Sequence, residues 1–274
     1  MSMTGGVSFF DKSQCLFKDG ATCVASSNTA AQNLVLSNDK YYQWESSGSD
    51  DMTTETLTIT LPVSTTFNRI FILGHNLKAF QISITGDTFA NLSSEEGTAT
   101  ISSGDIDQTN CAKSTSYFEF DNVTGTEIVL TMDTTQTVDA EKYVGQVIVT
   151  TEIGTLTGFP NINDLKTDPN IIKDKTISGK YIIEKGAHVA NFDMKLTTYP
   201  VQADIDILDS LFIREDPFLV WLCGGKTSNF RLTQRGWRLG DVYQMQVDSD
   251  LKNGFRSNVY ALAVNQSYGF QEVV

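Results

Sequence analysis

Leu57-Thr-Ile-Thr-Leu61 alternates apolar and polar residues with period two, the pattern of a strand with one face in a core and one in water. Just beyond it, Arg69-Ile-Phe-Ile-Leu73 is an apolar, β-branched run fit for a strand buried on both faces. Working outward, Gln81-Ile-Ser-Ile-Thr85, Ser116-Tyr-Phe-Glu-Phe120 and Glu127-Ile-Val-Leu-Thr-Met132 repeat the alternation, and Val144-Gly-Gln-Val-Ile-Val-Thr150 repeats the apolar run. Turn formers separate them: Ser47-Gly-Ser-Asp-Asp51, Gly86-Asp87, Gly104-Asp105, Asn122 and Gly125. Short strands broken by regular turn signals predict a β-sandwich of the jelly-roll kind over residues 1–158.

A boundary is expected near Gly154-Thr-Leu-Thr-Gly-Phe-Pro-Asn161, followed by a polar stretch from Asn163 to Lys175 that contains Asp168-Pro169. Strand patterns resume at Gly179–Ile183, Asn191–Leu196, Phe218–Leu222, Asp241–Val247 and Val259–Val264. One helix is predicted over 201–214. Ile205, Leu208, Leu211 and Phe212 share a face, Asp204 and Asp206 stand near its start, Arg214 near its end, and Pro217 stops it. The expected fold class is mainly β: an N-terminal jelly-roll β-sandwich, then a small C-terminal β-barrel over 159–274 with one short helix closing a mouth.

Charge is unevenly placed. Residues 1–158 carry 19 acids against 7 bases, a net of −12, while residues 159–274 carry 14 against 13, a net of −1. The acidic half repels nucleic acid and anionic membrane. No apolar run reaches the roughly 20 residues of a membrane helix. Met1-Ser-Met-Thr-Gly-Gly6 shows no basic, then apolar, leader, so synthesis in a cytoplasm is expected. The sequons at Asn91, Asn122 and Asn265 are therefore read as coincidental. Cys15, Cys23, Cys111 and Cys223 form no CxxC and are expected to be small buried side chains.

The chemistry-bearing residues are sparse. There is no G-x-S-x-G, H-E-x-x-H or P-loop. A catalytic triad would need His75 or His188, and His75 in Gly74-His-Asn76 reads better as a turn histidine bonded to backbone. Paired-carboxylate hydrolysis could draw on Glu45, Asp50, Asp51, Glu55 or Glu119, but these lie among Ser, Thr and Gly and read as solvated surface. Asp105-Ile-Asp107 with Asn110, or Asp50-Asp51, offers hard oxygens for calcium without EF-hand spacing. No enzyme activity, cofactor or metal is expected. Arg231, Arg235 and Arg238, interleaved with Trp237, make the one basic cluster. Sequence-specific nucleic-acid binding is not expected of it. It reads instead as an interface set, together with Trp221, for carboxylates of a neighbouring copy.

Two stretches carry a family resemblance. Tyr41-Tyr-Gln-Trp-Glu-Ser46, Glu55–Leu61 and Asn68-Arg-Ile-Phe-Ile-Leu-Gly-His-Asn-Leu-Lys-Ala-Phe80 resemble galactose-binding-like, discoidin-type jelly rolls, above all those in structural proteins of tailed bacteriophages. Gly179–Tyr260, with Phe192–Leu196, the helix, Pro217–Trp221, Gly236-Trp-Arg238 and Asp241–Tyr243, is similar in layout to the small β-barrel of tail-tube and distal-tail proteins. The domain order is the reverse of the usual distal-tail order. The resemblance implies a non-enzymatic virion protein of a tail or baseplate. Its barrel would join identical subunits in a ring, often of six, beside other tail or baseplate proteins, with no membrane. The alternative is a carbohydrate-binding adhesin or host-recognition module that uses Tyr41, Tyr42, Trp44, Asp50 and Asp51.

Overall fold

The computed structural model describes residues 7–37, 42–94, 97–157, 161–175, 181–196, 201–214, 216–221, 242–247 and 266–272. It is mainly β, with antiparallel pairing, as the alternating patterns require. Residues 13–152 make one compact unit. Residues 153 onward make the second, and the described residues 7–12 join it through β1 (Ser8–Phe10).

The first unit is a sandwich built on two long strands, β4 (Glu55–His75) and β9 (Thr115–Thr135). Around them lie β2 (Thr22–Ala25), β3 (Trp44–Glu45), β5 (Leu77–Ile84), β6 (Ser93–Ser94), β7 (Ala99–Ser102), β8 (Asp105–Gln108) and β10 (Tyr143–Thr150). The main strand order is β3-β10-β4-β9-β5-β8-β7, with β2 on β4 and β6 on β9. The first half of β4 pairs with β2, and its second half pairs with β10. The register between β4 and β9 slips between Thr60 and Thr65 and again between Phe67 and Arg69. These slips mark a bend, so each long strand serves both layers.

Sequence reading split each long strand in two and placed turns at Asn122 and Gly125. The structure instead continues β9 through both as one bent strand. Gly125 is needed there because a Cβ would lie 2.6 Å from Ile84 Cγ1 and 2.9 Å from the Thr85 carbonyl oxygen. Between the layers sits one apolar cluster that includes Trp44, Leu57, Ile59, Phe67, Ile70, Ile72, Phe80, Phe118, Leu130 and Val147. The edge-to-face pairs Phe80–Phe118 and Phe67–Phe120 lock its middle, with ring centroids 6.0 Å apart in each.

The second unit is a seven-stranded sheet. β1 is followed by β11 (Glu152–Thr155), β12 (Asn161–Lys175), β13 (Tyr181–Leu196), β14 (Phe218–Trp221), β15 (Val242–Val247) and β16 (Gln266–Glu272), in the order β11-β1-β14-β15-β16-β13-β12. Asn163–Lys175, which reads as a polar connector, is strand. Its Pro169 is tolerated at a register slip on a strand that pairs only with β13 among the described residues. No pairing of β11 with β12 closes this sheet into the expected barrel among the described residues.

The predicted helix appears as α1 (Gln202–Phe212), with Leu208 and Leu211 buried. Its Asp204 does more than favour the helix dipole. The carboxylate accepts from both the Thr157 amide and the Thr157 hydroxyl, at 2.9 Å each. Trp221, expected at a subunit interface, is wholly buried in β14 and pairs in register with Ser8. A side chain enclosed by its own chain has no surface to offer a neighbour, so that expectation is corrected.

Candidate binding end of the first unit

Because β4 and β9 bend, both ends of each arrive at the same end of the sandwich. The His75 amide donates to the Ser114 carbonyl, the Gln136 amide to the Asn76 carbonyl, and Thr54 Oγ1 to Asp133. Residues 26–28, 46–54, 75–76, 111–114 and 133–142 meet here. Segments this rich in Ser, Asp, Asn and Gly form no ladder of their own, so side chains must satisfy their backbone.

They do so in two sets of bonds. Asp50 closes its own turn: Oδ1 accepts from the Met52 amide at 3.0 Å, the Thr53 amide at 2.8 Å and Thr53 Oγ1 at 2.7 Å. These donors favour the carboxylate and hold its pKa below the ordinary range. A second set ties this turn to the 136–142 segment. The Gly48 amide donates to Glu141 Oε1 and the Asp139 amide to Asp51 Oδ1, at 3.1 Å each. Ser46 and Lys142 exchange bonds, Ser46 N–H to the Lys142 carbonyl and Lys142 N–H to Ser46 Oγ. Asn76 bridges further, donating to the Glu141 carbonyl at 2.7 Å and accepting from the Tyr143 amide at 3.0 Å.

Lys142 is the unexpected member. It is fully buried, and its Nζ donates to the main-chain oxygens of Asp50 and Thr53. Nothing in the local sequence marks it, since its partners lie some ninety residues away in the chain. A lone lysine before a strand otherwise reads as solvated.

The sequence-nominated residues divide. Tyr41 lies outside the described residues, and Tyr42 is exposed. Trp44 is corrected: it is wholly buried and its indole N–H donates to the Ser27 carbonyl, so it cannot stack on a ligand. Asp50 and Asp51 are at this end but are already engaged with backbone, as above. Arg231, Arg235, Trp237, Arg238 and Cys223 lie outside the described residues, and His188 falls in β13.

The carboxylates weighed for hydrolysis are committed elsewhere. Glu55 is buried and accepts from Ser26 Oγ. Glu119, with Glu152, forms the ion pair of the buried Arg69, 3.2 Å from its guanidinium. Glu45 lies exposed on β3. His75 is not in an open turn but buried at the end of β4. The Leu77 amide donates to its Nδ1 at 3.1 Å, so the ring proton sits on Nε2 and points at Ser116 Oγ, 3.0 Å away. Burial lowers its pKa to about 4. A neutral ring that donates to Ser116 cannot also take that hydroxyl's proton, so the pair is not a primed nucleophile.

Asp107, one of the calcium candidates, accepts from Gln81 at 2.9 Å. Among the described residues no group of three or more His, Cys, Asp or Glu side chains is placed to hold a metal. Cys15, Cys23 and Cys111 are buried.

No protein-family model and no curated protein matches the chain. Solved structures do match. A mutant of chitosan-binding module 1 from a chitosanase/glucanase of Paenibacillus sp. IK-5 is 15% identical with a TM-score of 0.40, over 51% of this chain and 98% of that one. The family 32 carbohydrate-binding module of Clostridium perfringens NanJ, solved with galactose, is 15% identical with a TM-score of 0.36, over 53% and 98%.

Proposed function

We propose that the protein is a non-enzymatic carbohydrate-binding protein whose first unit meets a glycan at the end described above. One observation carries this reading: that end has a backbone fixed in advance, and around it stand exposed apolar side chains and carboxylates. Met52 and Val138 are 71% and 75% exposed on the two segments that the Asp51–Asp139 bond joins. Asp133 and Asp139 are exposed nearby, and Glu141 is half-buried. A sugar presents just these two needs, hydroxyl donors for carboxylate oxygens and C–H faces for apolar contact. A backbone already held by side chains loses little entropy when a ligand arrives.

Screening the purified chain against a glycan array tests the reading. Binding is expected, weakened about tenfold by Met52→Ala or Asp139→Asn, the loss of roughly one contact of 1.4 kcal/mol. Failure of the unaltered protein to retain any glycan would sink it.

A second reading is assembly of identical copies through the second unit, as in a virion tail. The observation in its favour is β12, 15 residues long and paired on one side only among the described residues. Such an edge offers main-chain donors and acceptors to another copy. Mass measurement across a range of concentrations discriminates: a closed ring favours assembly, and a monomer throughout rejects it.

A further inference from the structure

Lysine is seldom enclosed, because its ammonium gives up hydration that only close partners replace. Lys142 is enclosed completely. Its Nζ lies 2.8 Å from the main-chain oxygen of Asp50 and 2.6 Å from that of Thr53. Two carbonyls of one tight loop therefore converge on a single positive charge.

Burial works against the charged ammonium, and four acids work for it: Glu55 at the start of β4, Asp50 and Asp51 in the loop, and Asp133 near the end of β9. The bonds from Asp50 Oδ1 shape the 50–53 turn, but they are internal to it and do not say where the turn sits. The Lys142 ammonium reaches that turn from another segment.

We propose that the Lys142 ammonium is a built-in cation that positions the 50–53 loop from another segment, and that a free alkylammonium restores the loop once that charge is removed. Lys142 is thus a positioning residue for the binding end. The proposal rests on the carbohydrate reading only in calling that end a binding end. Its test needs no glycan, so either idea can fail while the other stands.

The test is amide hydrogen exchange on the whole chain, unaltered and as Lys142→Ala. In the variant, the Met52 and Thr53 amides are expected to exchange about tenfold faster or more, with Ile59 and Leu130 in the strands unchanged. Butylammonium chloride is expected to slow Met52 and Thr53 again in the variant and to change nothing in the unaltered protein. Wild-type exchange rates in the variant overturn the proposal, and so does faster exchange that butylammonium does not reverse. If Lys142→Ala does not fold, Lys142→Met fills the space without the charge. Faster exchange confined to the loop then supports the proposal, and unchanged exchange rejects it.

Discussion

The two ends of the first unit solve the same problem with different means. At the bend end, β4 and β9 turn from one layer to the other. There, apart from the buried Arg69 and its ion pair with Glu119 and Glu152, the contacts are exposed and neutral or lightly charged: Thr66 to Thr124 at 2.8 Å, Asn68 to Asn122 at 3.0 Å, Asn91 to Asp121 at 2.6 Å, and the Thr124 amide to Asp87 at 2.8 Å. The strands continue through that end, so the ladder supplies most backbone partners and the side chains only trim it. At the other end the ladder stops. The backbone is held instead by buried polar groups, Lys142, His75 and Asn76 among them. Buried polar groups are costly when left unpaired and specific when fully paired. Their concentration at one end shows where the fold fixes loops that no sheet holds.

The strongest way to break this contrast is at Trp44, where the apolar cluster meets the loop end. Trp44→Ala removes a wholly buried indole and the bond to the Ser27 carbonyl, and is expected to cost about 3–5 kcal/mol in denaturant unfolding. Tyr42→Ala, two residues away and 58% exposed, is expected to change stability by less than about 0.5 kcal/mol. Equal effects of the two would mean that the apolar cluster does not reach the loop end.

How much of this was legible in the sequence follows from the same contrast. Period-two runs such as Leu57–Leu61 and Glu127–Met132 announced strands because alternation is local. The apolar stripe of α1 was legible for the same reason, within two residues at each end. Gly125 and Asn122 misled, since a glycine that admits a close neighbour strand looks like a glycine that makes a turn. The loop end was the least legible. Asp50 and Asp51 could be nominated from their turn composition, but Lys142, Glu141 and Asn76 act through partners distant in sequence. Trp44 was taken for a surface residue because an aromatic beside Tyr42 and Glu45 carries no mark of which face it takes. Nor does sequence alone choose between a glycan surface and a subunit interface, as both want aromatics and arginines.

Acid should separate the two ends next. His75 keeps a pKa of about 4 in the folded chain against an ordinary 6.5, so below pH 6.5 the unfolded chain binds the additional proton. Its contribution is fully present above about pH 6.5 and is lost as the pH falls toward 4, amounting to about 3 kcal/mol. Stability measured across that interval should fall more steeply in the unaltered protein than in His75→Gln, which has no ring to charge. Parallel curves would show that the ring is solvated on acidification without loss of the fold.

A smaller effect than those of Trp44 and His75 belongs to the bend end. Gly125→Ala places a methyl 2.6 Å from Ile84 Cγ1 and 2.9 Å from the Thr85 carbonyl oxygen. The isoleucine can swing aside, but the carbonyl belongs to backbone that ends β5 and must shift with it. Overpacking of this kind costs about 1–2 kcal/mol, less than the loss of the Trp44 indole or the charging of His75. Because the strain falls where the ladder is continuous, it should stay local. Exchange of the Met52 and Thr53 amides and any glycan binding should match the unaltered protein even as the unfolding midpoint drops. If instead Gly125→Ala loosens that loop, the two ends are mechanically coupled through β4 and β9, and the division of labour drawn between them fails.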